Sequence, residues 1–244
     1  MEEVVEKLRK AKNVVVLSGA GISKASGIPT FRGKDGLWKN YDATQLATFS
    51  AFKRDPKLVW QWYNWRRSII IKAQPNPAHI ACVELEKMYK GGFSLITQNV
   101  DGLHRLAGNH SIYELHGNIW QTMCLSCGKI EEERVVYREE ELPPHCKSCG
   151  GVLRPRVVWF GEMLPQDILQ EALSASRSSD VFLSIGTSGV VQPAASMPII
   201  AKENGAYVVE FNVERTPNSS FMDKVIIDDV ARSLPKLMER LKKI

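Results

Sequence analysis

No apolar run in this sequence is longer than a strand. The longest, NVVVL at 13–17, VVWF at 157–160 and VFLSI at 181–185, fall far short of the roughly 20 residues that cross a bilayer, so no membrane span is expected. Charge of one sign is scarce too. Lys and Arg number 32 against 27 Asp and Glu, a net +5, too mild to make a nucleic acid the expected partner. The first residues, MEEVVEKLRKAK, form an amphipathic pattern that carries acids, unlike a secretory signal or a transit peptide, so the expected location is cytoplasmic. Histidine is limited to five residues, a short list of candidates for a base that titrates near neutral pH. Of the five cysteines only Cys82 falls outside two close pairs.

What the chain does contain is alternation. Strand-like runs at 13–17, 93–97, 181–185, 206–211 and 224–227 are interleaved with helical patterns near 2–11, 55–72, 77–89, 165–176, 195–204 and 234–243. Such alternation predicts an α/β fold, a Rossmann-like doubly wound parallel sheet covered on both faces. Glycine-rich or polar segments follow each strand: SGAGISKASG, QNVDGLH, GTSG and NVERT. Ligands of doubly wound sheets bind at the carboxyl ends of the strands, so the functional edge is expected there.

Two stretches break the pattern. Residues 39–75 read as a helical module and 119–153 as a zinc-ribbon module. Together they make a smaller inserted lobe, leaving 1–38, 76–118 and 154–244 as a discontinuous nucleotide-binding domain. Within 119–153, Cys124-x-x-Cys127 and Cys146-x-x-Cys149 are separated by 18 residues, the spacing of a four-thiolate zinc site. Four sulfurs complete a tetrahedron, so the expected ion is structural, not catalytic. The segment between the pairs holds six acids and three bases, a poor face for phosphate.

Gly19-Ala20-Gly21-Ile22-Ser23 follows a buried strand, where glycines let backbone N–H groups approach a pyrophosphate. The motif is not a strict GxGxxG, since Lys24 stands where a third glycine would be. The acid that ordinarily reads a ribose about 20 residues further on is also not evident, which disfavours an ordinary dehydrogenase.

One helix is odd. Asp55-Pro56 begins it with a capping carboxylate and a first-turn proline. On the wheel of the following residues, Arg66 joins not the polar face of Gln61, Asn64, Ser68 and Lys72 but the apolar arc of Val59, Trp62, Tyr63 and Ile70. Snorkelling, a cation–π stack and a nucleic-acid surface are all open readings of that placement.

The blocks GAGISKASGIPTFR (19–32), TQNVDGLH (97–104), ELHG (114–117), the paired CxxC, RPRVVWFGE (154–162), GTS (186–188) and FN (211–212) occur in the order seen in sirtuins, and the chain resembles that family from residue 13 to about 235. The resemblance implies a protein lysine deacylase that consumes NAD as co-substrate and carries one structural Zn2+. In the family the acyl carbonyl oxygen displaces nicotinamide at the ribose C1′, a histidine then serves as base, and O-acyl-ADP-ribose is released. That histidine falls on His116, with Asn99 beside the reacting ribose. The implied NAD contacts are Gly19, Ala20, Gly21, Ile22, Phe31, Arg32, Trp38, Gln98, Asn99, Val100, Asp101, Gly186, Thr187, Ser188, Asn212, Val213, Glu214 and Val230. The implied partners are acyl-lysine proteins or peptides, paired by backbone along Val157, Val158, Phe160 and Gly161.

One departure refines this expectation. Most sirtuins have Asp where this chain has Thr30, and the threonine form is familiar from a branch that prefers acyl groups ending in a carboxylate, such as succinyl or malonyl. That branch has a Tyr and an Arg three residues apart in its acyl pocket and an Ala sixteen before the Tyr. Tyr63, Arg66 and Ala47 have that spacing here. Desuccinylation, demalonylation and deacetylation are the expected activities. Two rivals remain from the sequence: protein ADP-ribosyl transfer, which shares the loss of nicotinamide, and a non-catalytic zinc-ribbon binding module.

Overall fold

In the computed structural model, which describes residues 1–31, 36–37 and 42–243, the five strand-like runs and a short strand at Ile112–Glu114 that was not expected form one six-stranded sheet. Its strands are β1 (Val14–Ser18), β2 (Phe93–Thr97), β3 (Ile112–Glu114), β7 (Val181–Ile185), β8 (Tyr207–Asn212) and β9 (Lys224–Ile227), in the order β3-β2-β1-β7-β8-β9. All neighbours are parallel. A second, antiparallel sheet has the order β5-β4-β6 and consists of β4 (Gly117–Cys124), β5 (Ile130–Glu132) and β6 (Leu153–Val157).

Successive side chains of a strand point to opposite faces, and β1 shows why its run is apolar throughout. Val14 and Val16 pack toward helices α1 (Glu2–Lys10), α5 (Pro77–Met88) and α9 (Val230–Lys242). Val15 and Leu17 pack toward α7 (Gln166–Ser178) and α8 (Met197–Glu203) on the other side. A third apolar cluster joins α2 (Ala43–Leu46), α3 (Phe49–Arg54) and α4 (Pro56–Ile70) to β4 and β6, so the helical and cysteine-bearing segments share one core. The short α6 (Leu103–Ala107) follows β2. Among the described residues no helix is long and apolar enough to cross a membrane.

The expected elements lie within a few residues of the observed ones, with one informative error. The last helix begins at Val230, not near 234, because Asp229 accepts a hydrogen bond from Ala231 N–H at 2.8 Å and caps it. Pro235 therefore sits inside the helix rather than in its first turn. Burial of Val230, Leu234, Leu237, Met238 and Leu241 outweighs the backbone bond that a proline forfeits.

Topology positions the site. The chain leaves β1 toward β2 on one side and returns to β7 on the other, so the connections diverge at the carboxyl end of β1. That divergence opens the crevice in which doubly wound sheets hold nucleotides.

Candidate active site

A cleft of about 1090 Å³ lies over that divergence, between the parallel sheet and the smaller lobe. Its floor is the turn after β1. Gly21 N–H donates to the Gly186 carbonyl at 2.8 Å, and a Cβ on Gly21 would meet the Gly186 Cα at 2.7 Å. Only glycine permits the two strand ends to come so close. The tips of three strands are tied together above it. Gln98 Nε2 donates to Thr187 Oγ1 at 2.8 Å, and Asn212 Nδ2 donates to the Thr187 carbonyl at 2.9 Å.

Most of the residues expected to hold NAD line this one cleft: Gly19, Ala20, Gly21, Phe31, Gln98, Asn99, Val100, Gly186, Thr187, Ser188, Asn212, Val213, Glu214 and Val230. Two expected contacts do not. Ile22 is fully buried in the core beneath β1. Asp101 is also buried: its carboxylate accepts from Leu103 N–H at 2.8 Å and from Ser23 Oγ at 2.8 Å. Burial raises its pKa, against the pull of those two hydrogen bonds and of Arg66 and Arg134. Asp101 thus braces Ser23, which accepts from Asn99 Nδ2 at 3.3 Å, and Asn99 also donates to the Gly19 carbonyl at 3.1 Å. The sequence reading missed Ser23 as the joint between Asp101 and Asn99. Arg32 and Trp38 lie outside the described residues.

His116 stands at the junction of the two sheets, directly before β4. Gly117 has φ of 76°, and a Cβ there would meet the Arg156 carbonyl oxygen at 2.2 Å, so the residue after His116 has to be glycine. The imidazole Nδ1 lies 3.0 Å from the Gln98 carbonyl oxygen. A carbonyl only accepts, so Nδ1 carries the proton, and in the neutral ring Nε2 then carries the lone pair. The other described histidines do different work. His79 and His104 are buried side by side, and desolvation lowers the His79 pKa to about 4, while His104 is driven well down by burial and by His79. His110 and His145 are exposed and line no part of the cleft.

The wall facing the small lobe contains Ala47, Trp62, Tyr63 and Arg66, with Val157, Val158, Phe160 and Gly161 along the adjoining edge. Val158 N–H donates to the His116 carbonyl and Phe160 N–H to the Ala47 carbonyl, both at 2.9 Å. These bonds hold the edge between the imidazole and the helical module. Tyr63 is buried, and loss of water pushes its phenol up to about 12. Arg66 is 7% exposed, and its guanidinium carbon sits 4.7 Å from the Phe31 ring centre, 5.0 Å from Trp62 and 5.7 Å from Tyr63. Among the described residues it makes no hydrogen bond and no ion pair. Burial lowers its pKa, with Tyr63 and Asp101 opposing.

The four paired cysteines converge at the far end of β4 and β6. Sγ of Cys124 lies 3.4 Å from that of Cys149, Cys127 lies 3.8 Å from Cys146, and all four sulfurs fall within 4.8 Å of one another. The Cys127 N–H leads in lowering the Cys124 thiol to about 6, whereas Cys149, despite the Gly151 N–H, is pushed up to about 12 by Cys124 and Cys127. Sulfurs so close cannot all ionise without a cation, and a thiolate set of this shape fits tetrahedral zinc.

Comparison with known proteins agrees with this geometry. The Sir2 family model matches residues 19–193. The NAD-dependent protein deacylase of Aquifex aeolicus is 52% identical over 94% of this chain and 95% of its own length. A solved Sir2 homologue variant in complex with ADP-ribose superposes with a TM-score of 0.95 at 43% identity, covering 100% of this chain and 97% of that one. A Sir2 complex with a p53 peptide and NAD+ gives a TM-score of 0.88 at 34% identity over 98% of both chains. With its sheet order, its cleft and its cysteine cluster all in keeping with that match, the chain belongs to the Sir2 family.

Proposed function

We propose that this protein removes acyl groups from protein lysine at the expense of NAD, and that its acyl pocket is built for groups ending in a carboxylate. NAD, when bound, supplies the ribose carbon that loses nicotinamide and receives the acyl oxygen. The residues after β1, β2, β7 and β8 that line the cleft would hold it. His116 acts as the base for a ribose hydroxyl through Nε2, since Nδ1–H is committed to the Gln98 carbonyl. Asn99, fixed by the Gly19 carbonyl and Ser23, holds the ribose side of the cleft. An extended acyl-lysine peptide lies along Val157–Gly161. Val158 and Phe160 have already committed their N–H groups to the protein, so the peptide pairs through what that edge leaves open.

The observation that carries the acyl preference is the guanidinium of Arg66. A buried cation is unfavourable by several kcal/mol unless an anion bonds it, and among the described residues Asp101 acts on Arg66 only through space. Here it faces the cleft, among aromatic rings and beside the Tyr63 phenol. A succinyl or malonyl carboxylate would complete the pair, bonded by Arg66 and by the Tyr63 hydroxyl. Hydrogen bonds to a charged group contribute about 1.5–3 kcal/mol, or about a 10- to 150-fold preference over acetyl.

The test supplies purified protein with NAD and one peptide carrying either succinyl-lysine or acetyl-lysine, and follows O-acyl-ADP-ribose by mass spectrometry. Higher kcat/KM on the succinyl peptide is expected. Equal or faster acetyl turnover would refute the carboxylate pocket, and stable ADP-ribosyl adducts on protein in place of O-acyl-ADP-ribose would refute deacylation.

A further inference from the structure

Trp159 lies in the middle of the edge just described, yet its side chain turns away from the neighbouring strand and toward α4. Its indole Nε1–H donates to the Tyr63 hydroxyl oxygen at 2.9 Å, with Trp159 2% and Tyr63 3% exposed. The two residues are 96 positions apart in the chain. The indole is held from several sides. Arg154 stacks over its face with the guanidinium carbon 3.7 Å from the ring centre, and the Phe52 ring lies 5.2 Å away. Glu162 accepts from the Trp159 backbone N–H at 2.9 Å while its other oxygen accepts from Arg154 at 2.6 Å.

We infer that Trp159 is a positioning residue that sets acyl specificity by fixing the Tyr63 hydroxyl as a donor aimed into the cleft. This rests on the carboxyl-acyl reading above. A phenol has one proton to give and accepts through its oxygen. The immobilised indole N–H occupies the accepting side. Among the described residues the Tyr63 O–H donates to no protein acceptor, and Tyr63 lines the cleft, so the proton is directed at whatever the acyl group presents. A carboxylate accepts it. The methyl end of an acetyl group leaves it unsatisfied, which penalises the neutral chain as well as favouring the charged one. Phenylalanine would fill the same apolar slot between Arg154 and Phe52 but would release the hydroxyl to rotate.

The experiment measures kcat and KM for matched succinyl and acetyl peptides in wild type, Trp159→Phe, Tyr63→Phe and the double variant. Any damage to the peptide edge lowers both substrates alike, so the readout is the ratio of the two kcat/KM values. Trp159→Phe should lower that ratio about three- to tenfold, through KM for the succinyl peptide. In the Tyr63→Phe background the same change should leave the ratio where it is. An unchanged ratio in the single variant overturns the inference, as does an equal drop in both backgrounds, which would mean that Trp159 meets the acyl group itself. A wild type without succinyl preference instead overturns the carboxyl-acyl reading on which it stands.

Should Trp159→Phe fail to fold, 15N-labelled wild type provides the second measurement. Tyr63→Phe identifies the Trp159 indole N–H signal by its shift. Succinyl peptide should then move that signal more than acetyl peptide does, and equal movement overturns the inference.

Discussion

Arg66 and Arg67 are consecutive on α4 and both are buried, yet among the described residues only Arg67 has its guanidinium bonded by protein oxygens. Arg67 Nε and Nη2 donate to the Ile119 carbonyl at 2.9 and 2.6 Å, and Nη1 donates to the Val135 carbonyl at 3.3 Å. Its charge also lies against the Trp60, Trp120 and Tyr137 rings, so it ties α4 to the cysteine-bearing sheet. Arg66, one residue earlier, turns to the cleft with aromatic faces as its company. The two substitutions should therefore separate. Arg67→Met should destabilise the fold by about 2–4 kcal/mol, because the buried Ile119 carbonyl loses both of its donors and the rings lose their cation. Arg66→Met should leave stability unchanged or raise it by about 1–2 kcal/mol, since it removes a buried charge that no described residue bonds directly. Urea melts of both variants decide the matter, and a larger loss from Arg66→Met would mean that its stacking is structural.

His116→Ala should lower deacylation by about 100- to 10,000-fold, the span ascribed to a positioned general base. NAD affinity, measured by calorimetry, should stay within a few-fold, because the turns after β1, β7 and β8 are untouched. Substantial turnover by the variant would remove His116 from its assigned role.

Stability should fall in mild acid. Unfolded, the imidazole of His79 takes up a proton near 6.5, whereas burial in the fold delays that to about 4. Between those values the unfolded chain binds more protons, so the contribution of neutral His79 is complete above pH 6.5 and is lost as pH drops toward 4. The loss is on the order of 3 kcal/mol from this residue, and His104 adds to it in the same direction. Urea midpoints between pH 7 and 4 should show the slope, and His79→Gln should flatten it. A variant with the wild-type slope would place the acid sensitivity elsewhere.

Metal analysis should find one zinc per chain. Cys124→Ser should lower the zinc content and the melting temperature together, and deacylation should be lost with the lobe. The reason is mechanical: Cys124 closes β4, the strand that begins right after His116. Full activity in a zinc-free protein would contradict it.

What the sequence made legible follows from how local each signal is. The parallel strands stood out because burial on both faces makes every residue of VVVLS and VFLSI core. The cysteine pairs were legible because metal ligands come at fixed short spacings. Arg66 was visible as a misfit on a helical wheel. Arg67 was not singled out, since its partners at 119 and 135 are distant in sequence and a carbonyl has no signature there. The same holds for the indole of Trp159. Ile22 and Asp101 were placed at the cofactor because a motif assigns a whole stretch, whereas the tight turn after β1 points Ile22 into the core and Asp101 is turned inward by its bonds to Leu103 N–H and Ser23.

Gly117 pairs with Val157 where β4 departs and β6 returns, and the next rung joins Val158 to His116. The excursion that builds the cysteine-bearing module thus leaves and re-enters at a single neck. Such a neck makes the module a lever on the site: loosening the thiolate cluster at one end of β4 is carried along the strand to the imidazole at the other.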